Sequence, residues 1–289
     1  MAKRIAIIGA SDLQLPLIEK AKEMGFETHV FAWKVGDAGE RAADFFYPIS
    51  IVEWQQILAV CRHIKPVAVA SIASDLAAIT VNRVANSLGL SSNPSETAII
   101  ATNKYEMRRA FQNAQLPTPL FLKVKEHDDL SIVKEFRLPI IVKPTDRSGS
   151  RGIYKLQSFD NLGKKIEYAC KESFEGCAII EEYIEGDEYS CECISQNGIH
   201  HCLAFTKKFT TGAPHFIEIG HMEPSGLNDE ICLQAKQMVF KALDALHVKC
   251  GASHSEFKVD SETGEIHLIE IGARMGGDCI GSDLVQLSQ

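Results

Sequence analysis

The sequence predicts two kinds of architecture in one chain, an open parallel α/β domain at the N-terminus and an α+β region of two lobes after it. The N-terminal third alternates short apolar runs with helical patterns, which is typical of a parallel sheet. After it, several strand patterns are separated mainly by turns, which is typical of an α+β region. A chain of 289 residues also exceeds the ~100–200 residues of one domain, so two or three units are expected.

The N-terminal unit begins with an apolar run at residues 4–8, which ends at Gly9. A helical pattern and a second apolar run follow, so the order is strand, turn, helix and strand. Asn93-Pro94-Ser95 begins another helix, in which Ser95 can accept a hydrogen bond from the first amide groups. We therefore place a domain boundary after residue 94. The other predicted elements of this unit are helices at 15–24, 52–64 and 77–88 and strands at 28–31 and 67–72.

The rest of the chain combines strand patterns with two clear helices. One of these helices is the amphipathic segment Ile231–Leu246. A Thr263-Gly264 turn between two strand patterns indicates a hairpin near the C-terminus. The predicted strands cover 138–142, 153–156, 178–182, 188–195, 255–259 and 266–271, and the other helix covers 162–172.

The composition excludes several classes of protein. Hydrophobic residues make up 45% of the chain and charged residues 24%, which is typical of a soluble globular protein. The net charge of −8 argues against a general nucleic-acid binder, because such a protein would present a basic face. No apolar run approaches the ~20 residues of a membrane helix, and the N-terminus lacks a signal-peptide pattern. We therefore expect a cytoplasmic protein with neither a nucleic-acid nor a membrane partner.

The nine cysteines are scattered along the chain without a Cys-x-x-Cys spacing. This pattern argues against a disulfide framework and against a structural zinc site, so reduced thiols are expected. Cys191 and Cys193 lie two residues apart in a predicted strand and therefore share a face. We interpret this pair as packing within a strand rather than as a metal site.

A segment rich in small residues, Lys143–Gly152, lies between two predicted strands. A lysine at the end of a strand offers positive charge to a phosphate, and small residues let backbone amide groups approach it. The segment matches neither of the common glycine-rich nucleotide motifs. On residue types alone, a phosphate-binding loop and an ordinary hairpin loop both remain open.

The strand pattern at Ala178–Glu182 continues into an acidic segment that ends at Glu188. Such a strand could pair the edge of an adenine with its backbone while apolar side chains cover the faces of the ring. Glu188 would then accept hydrogen bonds from the ribose hydroxyls. An acidic, solvated turn is the alternative interpretation.

Two glutamates near the C-terminus, Glu256 and Glu270, lie in the strands joined by the predicted hairpin. Antiparallel pairing can place their carboxylates side by side. Two such carboxylates repel one another unless a cation lies between them, and hard oxygen ligands favour Mg²⁺. A pair of exposed strand glutamates is the alternative. Arg274, just beyond, has a forked guanidinium suited to a carboxylate or an acyl phosphate.

Taken in order, the lysines, the small-residue loop, the acidic segment and the pattern Glu…Glu-x-x-x-Arg-x-Gly-Gly resemble the ATP-grasp superfamily. Within it, the chain is most similar to the carboxylate-amine ligase branch, which includes L-amino-acid ligases and is related to biotin carboxylase and the carbamoyl-phosphate synthetase large chain. The resemblance implies a pre-ATP-grasp domain at 1–94, a small ATP-grasp lobe at 95–184 and a large lobe at 185–289. Because similar ligases continue further, we expect the large lobe to be incomplete at its C-terminal end.

The same resemblance implies roles for individual residues. Lys104 and Lys143 would contact the phosphates of ATP, and Glu188 would bind the ribose. Glu256 and Glu270 would bind Mg²⁺. The loop that closes over the phosphates would contain Ser148, Gly149, Ser150 and Gly152, and the adenine hinge would consist of Glu181, Glu182, Tyr183 and Ile184.

Three residues are candidates for the catalytic step itself: Arg274, Lys208 and His254. Lys208 lies in a segment similar to the substrate side of such ligases, where it would contact phosphate, although an ordinary strand and its loop remain an alternative. His254 is either a base, a substrate contact or a buried structural histidine. Gly272 stands where the family often has an asparagine metal ligand, so the resemblance leaves a second Mg²⁺ open.

The N-terminal domain lacks the features of an NAD-binding fold. The segment Gly9-Ala10-Ser11-Asp12 has no spaced glycines, and the second strand lacks the expected acidic residue. The resemblance instead places this domain on the substrate side of the cleft. Asp75 lies at the start of a predicted helix, and we interpret it as a capping residue.

These expectations combine into one function. ATP would convert a small-molecule carboxylate into an acyl phosphate, and an amine would then displace phosphate to form an amide or peptide bond. ATP and Mg²⁺ are the implied cofactors, and a homodimer is compatible with the sequence. A bicarbonate-activating, carboxylase-like enzyme and a non-catalytic nucleotide-binding sensor remain as alternatives.

Overall fold

A computed structural model of the chain describes residues 2–149, 151–260 and 262–288. In these residues the strands form three sheets, a parallel one at the N-terminus and two antiparallel ones after it. The predicted fold class, an open parallel α/β unit followed by a two-lobed α+β region, is therefore confirmed. The predicted domain boundaries after residues 94 and 184 stay predictions.

The N-terminal sheet consists of four parallel strands with helices between them. Its elements are β1 (Arg4–Ile8), α1 (Leu15–Glu23), β2 (Glu27–Phe31), α2 (Ala38–Ala42), β3 (Phe45–Tyr47), α3 (Trp54–Ile64), β4 (Ala68–Ala70) and α4 (Asp75–Ser87). The strand order is β3-β2-β1-β4. Because helices cover both faces, the inner strand β1 is apolar throughout its buried part, and Ile7 and Ile8 belong to the apolar clusters on opposite faces.

Two short helices connect the parallel unit to the rest of the chain: α5 (Ser95–Ile100) and α6 (Lys104–Asn113). The side chain of Asn103 caps α6 by accepting hydrogen bonds from two amide groups of its first turn. Met107 and Phe111, one turn apart on α6, are buried in the same apolar core as the last sheet of the chain. This packing holds the N-terminus of α6, and with it Lys104, at the junction of the units.

The first antiparallel sheet forms a small lobe of four strands. Its elements are β5 (Phe121–Val124), a 3₁₀ turn (Ser131–Glu135), β6 (Ile140–Pro144), β7 (Tyr154–Leu156), α7 (Leu162–Glu172) and β8 (Ala178–Glu182). The order is β5-β8-β6-β7, and α7 covers the face that carries Val142 and Ile180. Since side chains alternate between faces, Lys143 and Glu181 point to the opposite face.

The second antiparallel sheet is the largest, with five strands in the order β11-β10-β9-β12-β13. Its elements are β9 (Asp187–Gln196), β10 (Ile199–Thr210), β11 (Glu218–Met222), α8 (Asp229–Ala245), β12 (Gly251–Val259) and β13 (Ile266–Gly272). Helix α8 packs on one face, where Phe257 and Leu268 are fully buried. The opposite face carries charged residues, among them Lys208 and Glu256. Strand alternation thus separates an apolar core from a polar wall.

The chain continues from β13 into a π-helical turn, Ile280–Leu284, and the short helix α9, Val285–Leu287. Ile280 and Val285 pack against Ala204 of β10. Among the described residues, no helix is both long and apolar enough to cross a lipid bilayer.

The prediction that Ser95 caps the helix beginning at Asn93-Pro94-Ser95 is wrong. Helix α5 begins at Ser95 itself, and Pro94 occupies the N-cap position without a side-chain hydrogen bond. Asn93 instead turns towards the large lobe, where its Oδ1 accepts hydrogen bonds from the backbone amides of Lys249, at 2.7 Å, and Cys250, at 2.9 Å. The buried Asn93 side chain therefore links the parallel unit to the C-terminal lobe.

Replacing Asn93 by Ala leaves these two backbone amides without their acceptor. We expect the free energy of unfolding to fall by about 1–3 kcal/mol, the cost of an unsatisfied polar group. The midpoint of urea denaturation measures the change. Asn161→Ala is the matched control, because Asn161 is an exposed helix N-cap whose side chain makes no capping hydrogen bond. Equal midpoints for the two variants would contradict the proposed link.

Candidate active site

A cavity of about 430 Å³ lies where the three units meet. This volume is within the ~300–1,000 Å³ that is usual for small-molecule sites. Each unit contributes to its wall: Asp75 comes from the start of α4, Lys143 from β6 and Glu256 from β12. The predicted site residues that line the cavity are Lys104, Lys143, Ser148, Gly149, Glu181, Glu182, Tyr183, Ile184, Glu188, His254, Glu256, Glu270 and Arg274.

The remaining predicted site residues are placed differently. Ser150 lies outside the described residues. Gly152 packs away from the cavity, where a Cβ atom would lie 3.0 Å from Cγ of Pro144. The side chain of Lys208 is 1% exposed and lies behind the acidic wall of the cavity. The prediction that Lys208 contacts phosphate directly is therefore not matched by its position in this structure.

A buried network of charges positions the lysine of β6. Lys143 Nζ lies 2.6 Å from one carboxylate oxygen of Glu181, and Arg108 Nε donates to the other at 2.5 Å. Arg108 also donates to the carbonyl oxygen of Leu268 at 2.7 Å, which ties α6 to β13. Burial alone raises the pKa of Glu181, but the charges of Arg108 and Lys143 outweigh it and lower that pKa to about 2. Glu181 is therefore a permanent anion that holds two cations.

Lys104, the first residue of α6, connects the small-residue loop to the large sheet. Its Nζ donates to the carbonyl oxygen of Arg147 at 2.8 Å and to a carboxylate oxygen of Glu270 at 3.2 Å. Its backbone amide donates to the carbonyl oxygen of Thr145 at 2.7 Å. The ammonium group thus stands at the base of the loop and beside one of the two predicted metal ligands.

The two predicted metal ligands are direct partners across the C-terminal hairpin. The antiparallel register pairs Glu256 of β12 with Glu270 of β13, and the register shifts immediately after Glu256. Both side chains remain partly exposed, 22% for Glu256 and 28% for Glu270. Two carboxylates that open onto one cavity are the hard oxygen donors that Mg²⁺ prefers, so this donor set fits the ion.

Lys208 forms ion pairs with three carboxylates behind the cavity. Its Nζ lies 2.7 Å from Glu256, 2.9 Å from Glu218 and 3.5 Å from Glu188. Burial lowers the pKa of Lys208, but the three carboxylates outweigh it and raise that pKa above its ordinary value. Burial and the charge of Glu256 raise the pKa of Glu188. Lys208 therefore neutralises the acidic wall rather than facing the cavity.

His254 lies between two carboxylates. Its Nδ1 is 2.6 Å from Glu192, and its Nε2 is 3.2 Å from Glu256. Burial lowers the pKa of His254, but the two carboxylates outweigh it and raise that pKa to about 9. An imidazolium with both N–H groups engaged is a poor proton acceptor at neutral pH, which favours the structural interpretation over a base. A Cβ at position 276 would lie 3.0 Å from Nδ1, so glycine suits that position.

Arg274 is held by the N-terminal unit. Its Nε donates to Oδ1 of Asp75 at 2.7 Å. The interpretation of Asp75 as a capping residue is wrong, because the hydroxyl of Ser74 caps α4 by accepting from the amide of Ala77. A Cβ at Gly272 would lie 3.1 Å from the guanidinium carbon of Arg274. The absence of a side chain at Gly272 therefore leaves room for the arginine.

The predicted adenine hinge already uses part of its backbone. The amide of Tyr183 donates to the carbonyl oxygen of Pro139 at 2.9 Å. Lys258 Nζ donates to the Tyr183 hydroxyl at 3.0 Å and to the carbonyl oxygen of Ile184 at 3.1 Å. The ammonium of Lys155 lies 3.5 Å from the centre of the Tyr183 ring. An adenine ring bound here would pair with other backbone groups of the hinge or displace the ammonium group of Lys258.

Several charged residues of the site were missed by the sequence analysis. Arg108 lies one helical turn after Lys104, and this spacing could have indicated a shared face. Lys258 lies in the same strand as a predicted metal ligand and also lines the cavity. Glu192 and Glu218 carry no local signal, because strand pairing and packing alone bring them to the site.

Comparison with known proteins identifies related sequences. A family model described as an ATP-grasp domain matches residues 136–283. The chain is 30% identical over 181 residues to D-alanine–D-alanine ligase B of Chromobacterium violaceum, an alignment that covers 61% of this chain and 58% of that protein. It is 27% identical over 213 residues to alanine–anticapsin ligase of Bacillus subtilis. This alignment covers 66% of this chain and 44% of that protein. The chain spans about half the length of the curated relatives it matches.

Solved structures resemble this chain over nearly all of its length. An L-amino acid ligase from Bacillus licheniformis superposes with a TM-score of 0.83 at 23% identity, covering 98% of this chain and 73% of that one. A biotin carboxylase from Campylobacter jejuni superposes with a TM-score of 0.80 at 17% identity, covering 98% and 68%. At these identities the likeness concerns the fold.

Replacing Glu181 by Gln would leave Lys143 and Arg108 as buried cations without their counter-charge. We expect the free energy of unfolding at neutral pH to fall by about 3–5 kcal/mol. The pKa of Glu181 is lowered from 4.5 to about 2, so the ionised carboxylate contributes stability above pH 4.5 and loses it as the pH falls from 4.5 towards 2. Urea denaturation across this range should show wild type and variant converging at acid pH.

Glu185→Gln is the control for this prediction. Glu185 pairs with Lys155 at the surface, with its own side chain 63% exposed, and exposed pairs contribute only about 0–1 kcal/mol. A Glu181→Gln variant as stable as this control at neutral pH would disprove the proposed role of the network.

Proposed function

Because this chain belongs to the ATP-grasp domain family, we propose that it is an ADP-forming ligase that activates a small-molecule carboxylate and joins it to an amine. The observation that carries the proposal is the meeting of three groups in one cavity. These are the lysines Lys104 and Lys143, the paired carboxylates of Glu256 and Glu270, and the guanidinium of Arg274. The names of the ligases that the chain resembles, which join amino acids, favour an amino acid as one substrate.

In this proposal the nucleotide lies along the small lobe. The ammonium groups of Lys104 and Lys143 bind phosphate oxygens of ATP. These oxygens take the place of some of the carboxylate and carbonyl oxygens that the two lysines contact in this structure. Ser148 and Gly149 cover the phosphates, and the positive φ of 75° at Gly149 is a conformation that favours glycine. The adenine contacts the hinge near Ile184, and the ribose hydroxyls donate to Glu188.

The hairpin carboxylates hold a single Mg²⁺ in this proposal. Lys208 and His254 compensate part of the negative charge of Glu256 and lower its pKa, which favours the ionised carboxylate that would bind the ion. Gly272 lies against Arg274 and offers no third side-chain ligand, which favours one well-held ion over two. When bound, Mg²⁺ reduces the negative charge on the phosphates of ATP during transfer.

The reaction has two steps. A carboxylate oxygen of the first substrate attacks the γ-phosphorus of ATP, the bond to the β,γ-bridging oxygen breaks, and ADP leaves. The lysines neutralise charge on the transferring group, and Arg274, held by Asp75, binds the carboxylate that becomes the acyl phosphate.

The amine nitrogen then attacks the acyl carbon and phosphate leaves with the C–O bonding electrons. The amine proton passes to solvent or phosphate, since His254 is already protonated. The loop around Gly149 keeps water from the acyl phosphate.

Phosphate release tests the reaction type. Amino acids are supplied singly and in pairs with ATP and Mg²⁺, and the product is identified by mass spectrometry. We expect phosphate release that requires both a carboxylate and an amine, together with one amide product and ADP. Equal ATP consumption without either substrate would refute the ligase function. Release that depends on bicarbonate would favour a carboxylase-like enzyme, and tight ATP binding without turnover would favour a sensor.

Replacing either Glu256 or Glu270 by Gln tests the metal site. Each change removes one anionic oxygen ligand, and we expect turnover to fall by roughly 100-fold or more, equivalent to about 3 kcal/mol of transition-state stabilisation. A titration of activity against Mg²⁺ should also shift to higher concentrations. Glu265→Gln is the control, because Glu265 lies in the same hairpin with its side chain 71% exposed. A nucleotide-bound crystal structure with no metal at either carboxylate would show that the assignment is wrong.

A further inference from the structure

Three thiols meet on the face of the large sheet that packs against α8. Cys191 and Cys193 lie on β9, and Cys202 is the direct cross-strand partner of Cys193 on β10. The Sγ atom of Cys191 lies 3.6 Å from that of Cys193 and 3.5 Å from that of Cys202. All three sulfur atoms lie within 4.8 Å of one another. The expected strand pair of cysteines is thus part of a triangle, whose third member comes from the neighbouring strand.

Two buried hydroxyls lie next to these thiols on the same face of the sheet, on the other neighbouring strand of β9. On β12, Ser253 is paired with Cys193 and Ser255 with Cys191, and directly paired residues of antiparallel strands point to one face. The two serines are 1% and 0% exposed, and neither hydroxyl has a hydrogen-bond partner among the described residues. A buried hydroxyl without a partner is unfavourable for folding, because it loses its hydrogen bonds to water and gains none in return. This part of the sheet is therefore more polar than an apolar core requires.

This cluster is separate from the candidate active site. Successive residues of a strand point to opposite faces, so Glu192, which contacts His254 beside the cavity, faces away from its neighbours Cys191 and Cys193. The thiols belong to the apolar core under α8. They consequently have no place in the ligase mechanism proposed above.

We propose that Cys191, Cys193 and Cys202 bind a thiophilic d¹⁰ metal ion, of the class of Zn²⁺ and Cu⁺. Tetrahedral metal–sulfur bonds of ~2.3 Å place their sulfur atoms ~3.8 Å apart. The observed separations of 3.5 and 3.6 Å need only a small expansion to reach this geometry. Soft thiolate ligands select such ions over Mg²⁺.

Binding requires no oxidant or reductant. Each thiol releases its proton to solvent as its metal–sulfur bond forms. The hydroxyl of Ser253 or Ser255 completes the coordination directly or through a water molecule, which would give these buried groups a partner. Cys202 is the least buried of the three thiols, so the ion enters from its side.

The site would join the two strands that carry the acidic wall on their other face. Strands β9 and β10 change register between Cys202 and Ala204, and a break of this kind locally weakens a ladder. A metal that bridges both strands at this point would hold them together. The positions of Glu188 and Lys208, on the opposite face of the same two strands, would be stabilised indirectly through the backbone.

Metal titration of the full chain tests the proposal. Every protein carries Cys279→Ala to remove the exposed thiol. Reduced, metal-free protein is titrated anaerobically with Zn²⁺ and, separately, with Cu⁺, each in competition with a chromogenic chelator. We expect one ion per chain, and the arm with the tighter binding identifies the ion. The melting temperature should rise with that ion, because it binds the folded state.

Cysteine variants locate the site. Cys193→Ala and Cys202→Ala should each weaken binding by more than ~100-fold, since even loss of a second-shell partner can cost 10–100-fold. Cys61→Ala is the matched control, because Cys61 is a fully buried thiol of the N-terminal unit, and it should bind as tightly as the parent. Cys202→Ala decides the question if Cys193→Ala does not fold. A far-UV circular dichroism spectrum of metal-free Cys202→Ala that matches the spectrum of the metal-free parent verifies its fold.

Two results would overturn the proposal. The first is the absence of stoichiometric binding of either ion to the reduced parent protein. The second is equal affinity in the parent and in Cys202→Ala, which would mean that the metal binds elsewhere and that the three thiols only fill the core. Neither result bears on the ligase proposal, which concerns the other face of the sheet.

Discussion

The buried carboxylate of Glu181 is the contact on which the arrangement of the cavity depends. It accepts from Lys143 within the small sheet and from Arg108 on α6, and Arg108 also donates to Leu268 in the large sheet. An unpaired charge at such depth is costly, so the three charges constrain one another. Lys143 is therefore held in place by a neighbouring anion, and the two lobes are connected through the same anion.

A second set of charges forms the opposite wall on the same principle, with the signs reversed. There one buried cation, Lys208, holds Glu188, Glu218 and Glu256. Lys208 and His254 lower the pKa of Glu256, one of the two proposed metal ligands, and so favour its ionised form. The large sheet separates this wall from its apolar core through the alternation of strand residues, and the same alternation sets the proposed thiol site on the face away from the candidate active site.

Local patterns were enough to predict the hairpin pair. Glu256 and Glu270 lie in strands that are adjacent in the sequence and joined by a short turn, so their register depends on a few residues. The contact between Asp75 and Arg274 could not be predicted in this way. It joins residues 199 positions apart and depends on how the parallel unit docks against the large lobe. Asp75 accordingly looked like a helix cap in the sequence.

The sequence by itself determined the fold class, most of the helices and strands, and the cluster of motifs that resembles ATP-grasp proteins, because periodicity and turn chemistry act over a few residues. It did not indicate α2, β3, β5 or β11, which are short. Only the tertiary structure decided which charges meet. It buried Lys208 behind three carboxylates, placed His254 between two others, and brought Cys202 to Cys191 and Cys193. Such contacts arise from strand pairing and from the packing of separate sheets, about which the local spacing of residues carries no information.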